Sequence, residues 1–273
     1  MKTVITFYKS GREFLAENGG ILAKYPLETV FFEVNAVCIA EANENNFIIK
    51  LQRSGKFLIA IHNADYPMNI FGDKSLCAEF AVYAAQSKLT FSKIIGALDT
   101  CEAFLEEYEK LVICTHEIHL SMDIMQCRNP VLCDISQVEQ ASETDVDELA
   151  NLAASFYAEA VGESESIAEY KCKIAQNVGD FALIRKNGEI VSFAGKKREV
   201  KYLAAITYVY TVPQYRCQGL SRKVVTYLTK QIVDSGKLAY LFVDKNNPIS
   251  NHLYTSIGYS YAVPQYEIAL KRE

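Results

Sequence analysis

The chain has 273 residues, half of them hydrophobic and 22% charged, which is ample core material for two domains and excludes a disordered composition. The net charge of -5 and a pI of about 5.6 argue against a general nucleic-acid binder, which carries a basic face and usually a basic total. No apolar run approaches the length of a membrane span, and the opening MKTVITFYKSGREF has no signal-peptide core, so neither membrane insertion nor export is expected.

Taken in order, residues 3–7 read as a strand and Glu13 to Leu27 as a helix broken near Gly19-Gly20. Thr29 to Ala40 fits strand or helix. Phe47 to Leu51, the turn Arg53-Ser54-Gly55-Lys56 and Phe57 to Ile61 form a hairpin. Asp73 to Ser87 and Ser92 to Leu111 have helical spacing, and Val112 to Met125 reads as a strand. Periodicity fades around Asn129 to Ser136, and the domain boundary is placed there: an N-terminal α/β domain over 1–130 and a second domain over 136–273.

The C-terminal half is more sharply patterned. Helices are expected after Ser142 and Ser166, and Phe181 to Ala194 is a hairpin with an Asn187-Gly188 turn. Tyr202 to Val212 is a long β run. Gly219 to Ser235 is an amphipathic helix closed by Gly236. Then come a buried strand over Ala239 to Val243, a short helix from Asn247 to Ile257 ended by Gly258, and a strand over Tyr266 to Leu270. This order implies an α/β fold with a mixed sheet.

Two segments carry the chemistry. In VYTVPQYRCQGLSR (209–222) a β run stops at Pro213, and Arg216-x-x-Gly219-x-Ser221 opens the amphipathic helix. First-turn amides lack internal partners and carry the positive end of the helix dipole, so a small residue there lets the backbone approach a pyrophosphate. Arg216 and Arg222 add charge. From Lys196 to Lys230, eight basic residues stand against Glu199 alone, which suits a phosphorylated small ligand or simply a solvated basic face. Alone, R-x-x-G-x-S equally describes an ordinary strand-to-helix turn. The other segment, LFVDKNNPISNHLYTSIGY (241–259), has an N-cap at Asn247, Pro248 at the first helical position, and Tyr254 at the edge of the apolar face.

Together these segments resemble the GNAT superfamily of acetyl-CoA-dependent N-acetyltransferases. Residues 209–222 resemble its pyrophosphate motif Q/R-x-x-G-x-G/A, with Ser221 a departure that still fits sterically. Residues 241–259 are similar to its motif of an asparagine, a tyrosine seven residues on and a closing G-F/Y, matched by Asn247, Tyr254 and Gly258-Tyr259. VYTVPQYRCQG and NPISNHLYTSIGY are particularly close to a bacterial branch with an extra N-terminal domain, often a degenerate copy of the same fold. Residues 1–130 are open to that reading, without a motif of their own.

The resemblance implies acetyl-CoA as co-substrate, lying where two central strands part. The backbone of Val209, Tyr210 and Thr211 would bond the pantetheine arm. The amides of Cys217, Gln218, Gly219, Leu220, Ser221 and Arg222, with Arg216 beside them, would hold the pyrophosphate. Asn247 would contact the pantetheine, an acceptor amine would attack the thioester directly, and Tyr254 would protonate the departing thiolate. Each residue also has a plainer role: Asn247 as an N-cap, Tyr254 as a core tyrosine and Arg216 as a surface charge; Tyr208 and Tyr210, on one face of the β run, either line the acceptor side or pack.

No acid precedes Asp244 on the strand beside the cofactor, so the base is open among Glu159, Glu163 and Glu165 (expected in the loop between the first two helices of this domain), a water relay or an already neutral amine. The cluster Cys114, His116, His119, Cys127 and Cys133 matches no strong zinc pattern, and no metal is expected. The eight cysteines contain no CxxC pair and read as reduced thiols of a cytoplasmic protein. The alternative to catalysis is a non-catalytic acyl-CoA sensor or interaction module on the same fold. The N-terminal half is left with three roles: acceptor pocket, homodimer contact, or none in the chemistry.

Overall fold

The computed structural model describes residues 2–64, 66–160, 162 and 165–272. The chain forms two compact units, Met1–Ile124 with Ala262–Glu273, and Met125–Tyr261. In chain order the elements are β1 (Val4–Phe7), α1 (Gly11–Lys24), α2 (Val30–Ala36), β2 (Phe47–Arg53), β3 (Lys56–His62), β4 (Met68–Gly72), α3 (Cys77–Gln86), β5 (Lys93–Gly96), α4 (Leu98–Tyr108) and β6 (Cys114–Cys127). There follow β7 (Glu139–Gln140), α5 (Val146–Ala160), α6 (Ile167–Ala175), β8 (Phe181–Lys186), β9 (Glu189–Lys197), β10 (Leu203–Thr211), α7 (Leu220–Asp234), β11 (Leu238–Asp244), α8 (Pro248–Ile257) and β12 (Ser260–Arg272).

The two halves repeat one succession, βααβββαβαβ. Pairing repeats with it. In the first unit β1, β2, β3 and β4 are successively antiparallel and β4 runs parallel to β5. In the second, β7, β8, β9 and β10 are antiparallel neighbours and β10 runs parallel to β11. The two halves therefore share one order of elements and one pairing pattern up to β5 and β11, and the mixed-sheet α/β class expected from the sequence is the one observed.

The compact units differ from the sequence-placed domains 1–130 and 136–273. Their division falls at 124/125, and the last strand returns to the first unit. There Tyr266 to Ala269 pair with Gly96 to Lys93, Lys93 bonds Glu267 at 2.9 Å, and Ile268 is fully buried in the first unit's core. Partners this far apart in sequence leave no local signal.

Three local expectations are also corrected. Ser92 to Leu111 is not one helix: Ile94 and Ile95 lie in β5 against β4, and β4 itself has no counterpart among the sequence-predicted strands. A Cβ on Gly96 would stand 2.6 Å from the Ile70 carbonyl oxygen, so only glycine allows that approach. Helix α1 runs unbroken through Gly19-Gly20 because the fully buried Asn18 fixes it, donating to the Phe14 carbonyl and the Tyr8 hydroxyl and accepting from Lys50 Nζ at 2.6 Å.

In the second unit the sheet carries two apolar layers. On one face α7 and α8 pack Val224, Leu228, Tyr254 and Ile257 onto Ala204, Ile206, Leu241 and Val243. On the other, α5 and α6 pack Leu149, Ala153, Tyr170 and Ile174 onto Phe181, Phe193, Tyr208 and Tyr210. Capping boxes fix α6 (Ser166 with Glu169) and the turn into α5 (Ser142 with Asp145). Among the described residues no helix is long and apolar enough to cross a membrane.

Gly195 faces Phe181, where a Cβ would lie 2.7 Å from the ring. Phe181 is fully buried against Phe193 and Tyr208, so it has little freedom to retreat. Gly195→Ala is expected to lower unfolding stability by about 1–3 kcal/mol in urea titrations. A change under about 0.5 kcal/mol would show that the aromatic layer is loose.

Candidate acyl-CoA site

The cleft begins with strand pairing. β10 and β11 are in register only over Leu203↔Leu238, Ala204↔Ala239 and Ala205↔Tyr240. Beyond that β10 is distorted: its pairing with β9 shifts between Thr207 and Tyr210, and Tyr208 takes a left-handed φ of 54°. Two residues face one across this β-bulge, which reverses the alternation. Ala204 and Ile206 point to the α7/α8 layer, whereas Tyr208 and Tyr210 both point to the α5/α6 layer. The two tyrosines share a face, as the sequence suggested, but not the face of Ile206.

The cleft leads to the turn before α7. After Pro213–Tyr215, Cys217 and Gly219 are both left-handed, at φ 60° and 72°, and no side chain caps α7. By contrast Ser10, Ser166 and Asn247 cap α1, α6 and α8. A Cβ at Gly219 would meet open space, so the residue serves backbone conformation and approach from outside rather than internal packing. A 15-residue helix thus presents uncapped amides at the positive end of its dipole, next to a nest-forming turn.

Ser221 has a further role there. Its hydroxyl shares a 2.7 Å hydrogen bond with Thr211, whose hydroxyl shares one of 2.8 Å with the fully buried Ser192. This chain ties the first turn of α7 to the end of β10, a function that glycine or alanine could not perform.

The candidate charges are already engaged. Arg216 donates through Nε to the Thr211 carbonyl at 2.9 Å and through a terminal nitrogen to Glu159 at 2.7 Å, over the Tyr210 ring. The Tyr210 hydroxyl also donates to Glu159, at 2.9 Å. Glu159, in the last turn of α5 rather than a loop, is held below its ordinary range chiefly by the Arg216 hydrogen bond, which makes it a poor base. Gln218 accepts from Lys186 at 2.5 Å, and Arg222 donates to the Ser256 carbonyl at 3.4 Å while its Nε is buried without a partner. Glu165 is paired with Lys173, and Glu163 lies outside the described residues.

Asn247 is exposed, and its side-chain oxygen caps α8 by accepting from Ser250 N–H at 3.1 Å, which leaves its amide nitrogen available. Tyr254 is 7% exposed against Tyr259, and burial holds its phenol proton well above the ordinary range. Val209 and Thr211 lie on the β10 stretch beyond the residues paired with β11, and Leu220, the first residue of α7, is buried. Among the described residues no group of three or more metal-ligating side chains converges, and His116 bonds Glu109 at 2.7 Å.

Two groups at the head of the cleft have no counterpart among the sequence-predicted site residues. Lys197, opposite Ala205, donates to the Tyr208 hydroxyl at 2.8 Å. Tyr240, fully buried, has a hydroxyl without a partner. Only the local excess of lysine hints at Lys197, and nothing in the strand pattern distinguishes Tyr240 from core.

The first unit's matching turn differs. Its Asp73 accepts from Ser75 N–H at 2.9 Å and pairs with Lys56 at 3.0 Å, and these bonds bring its carboxyl down to about 2. Asp73 thus places a fixed negative charge on the short turn between β4 and α3, while α3 itself, like α7, has no side-chain cap.

Residues 146–259 match the model of the acetyltransferase (GNAT) family. Similar solved structures include a Drosophila protein (TM-score 0.66, 12% identity, 99% of both chains). Others are a GNAT-family acetyltransferase from Colwellia psychrerythraea (0.60, 13%, 99% of this chain and 100% of that one) and a GCN5-related N-acetyltransferase from Sphaerobacter thermophilus (0.60, 11%, 98% and 95%). At these identities the likeness is one of fold. A search of curated proteins found no match. The segment that matches this family, 146–259, is the one that contains the parting of β10 from β11, the uncapped turn and Tyr254.

Proposed function

We propose that the protein is an acetyl-CoA-dependent N-acetyltransferase that acts on a primary amine of a small molecule or peptide by direct attack in a ternary complex. The observation carrying this reading is the uncapped first turn of α7, preceded by left-handed Cys217 and Gly219, at the mouth of the β10–β11 parting. Bound there, acetyl-CoA supplies an activated acyl group as a thioester.

The amides of Cys217 to Arg222 hold the pyrophosphate. The free edge of Val209 to Thr211 bonds the pantetheine in the manner of an added strand, and the Asn247 amide reaches it from α8. Arg216 and Glu159 brace the turn against α5 as one neutral pair. Tyr254 keeps its proton at neutral pH and gives it to the departing thiolate from the α7/α8 side. With Glu159 committed to Arg216, the acceptor arrives neutral or loses its proton to water. The same commitment favours the alternative reading, an acyl-CoA sensor without turnover.

Gly219→Asp is expected to weaken acetyl-CoA binding about a hundredfold or more by calorimetry, because a carboxylate enters the phosphate site. Undiminished binding would remove the proposed cradle. Tyr254→Phe is expected to keep acetyl-CoA affinity and to lower kcat about 10²- to 10⁴-fold, read as thiol release over a panel of primary amines. Wild-type binding with no turnover on any amine would favour the sensor.

A further inference from the structure

Lys197 is the last residue of β9, yet its ammonium does not extend into solvent beyond the strand. It lies 2.8 Å from the Tyr208 hydroxyl and 4.6 Å from the centre of the Tyr208 ring, which brings it over β10 at the bulge. Its backbone partner is Ala205, the last β10 residue still paired with β11. The amine is therefore at the closed end of the cleft. An acyl-CoA anchored at the α7 turn and running back along Thr211 to Val209 would bring its reactive end here.

The surrounding groups suit an acyl group. On β11, Leu241 and Val243 point to the α7/α8 layer, so Tyr240 and Phe242 point to the other face, the face of Tyr208. The buried Tyr240 hydroxyl lacks a partner, and a carbonyl oxygen at the cleft head would satisfy it. The charged groups near the Lys197 amine are Arg198 beside it, Lys173 on α6 and Glu165 before α6, and Glu165 is itself paired with Lys173. Burial, then Arg198, bring the amine down to about 8. About one Lys197 in ten is then neutral at pH 7, against about one in three thousand for an ordinary lysine.

We propose that Lys197 is a site of self-acylation, an internal acceptor for the acyl group of bound acyl-CoA; this rests on the cofactor site proposed above. The neutral Nζ attacks the thioester carbonyl carbon. The C–N bond forms and the C–S bond breaks. The amine proton leaves with the sulfur as coenzyme A thiol, and an Nε-acyl-lysine remains. The product has no charge, so the modification removes the cation over Tyr208 and fills the head of the cleft.

The test incubates the full chain with isotope-labelled acetyl-CoA without any amine and maps acetyl-lysines by mass spectrometry across pH. Lys197 is expected to be labelled about a hundredfold faster than the exposed Lys88 and Lys110, as proximity requires. Its rate should rise about tenfold from pH 6 to pH 7 and level off above about 8. In Gly219→Asp the Lys197 label should fall to the level of Lys88 while the surface labelling is unchanged. If calorimetry shows acetyl-CoA bound and Lys197 is labelled no faster than Lys88, self-acylation is refuted and the cofactor site stands. If acetyl-CoA does not bind at all, the site reading fails and the self-acylation with it.

Discussion

The parting of β10 from β11 is the constraint from which the site follows. Two parallel strands joined at three positions would ordinarily continue side by side. Here Tyr208 enters the left-handed region, at a cost of about 1–2 kcal/mol for a residue with a side chain, and β10 reverses its facing. The cost is offset locally. The Tyr208 ring is 1% exposed, packed among Phe156, Tyr157, Phe181 and Phe193, and its hydroxyl has Lys197. An aromatic layer built by α5, α6, β8 and β9 thus holds a bulge that a strand alone would straighten. What the bulge provides is a stretch of β10 whose edge toward β11 is unpaired.

The other requirement is an anion seat at the mouth of that edge, and here backbone counts for more than side chains. Part of the basic surplus between Lys196 and Lys230 is spent in ion pairs within the protein. Lys196 pairs with Asp180 and Glu199, Arg216 with Glu159, and Lys230 with Asp234. Such half-exposed pairs contribute little to stability, but they cancel the field that a bare count of charges suggests. The dipole and the uncapped amides of α7 have no such internal partner. In the first unit the turn between β4 and α3 carries a carboxylate, Asp73, which adds negative charge to a helix start that is otherwise also uncapped.

Much of this was legible because the relevant signals are local. Pro213 ending a β run, Gly219 opening an amphipathic helix, and Asn247-Pro248 with Gly258 bounding α8 are each set within a few residues, and the structure has each at its expected place. Ser221 reads as a tolerated departure because its value lies in a bond to Thr211 that only the fold creates. The left-handed Tyr208 was invisible, since no residue type announces a bulge in an aromatic strand. The chain's return at 262–273 and the strand around Ile94 depend on pairing partners far away in sequence, and periodicity cannot report those. Lys197 was visible only as one charge among eight, because its interest comes from burial over Tyr208.

The whole site depends on one placement: acetyl-CoA in the β10–β11 cleft with its pyrophosphate on the turn before α7. Amide hydrogen exchange with and without acetyl-CoA tests it directly, because free amides of an uncapped turn exchange readily and bound ones do not. Protection is expected to concentrate in 207–222 and around 247–254, with the first unit unchanged. Protection confined to the first unit, or none in 217–222 at saturating acetyl-CoA, would contradict that placement.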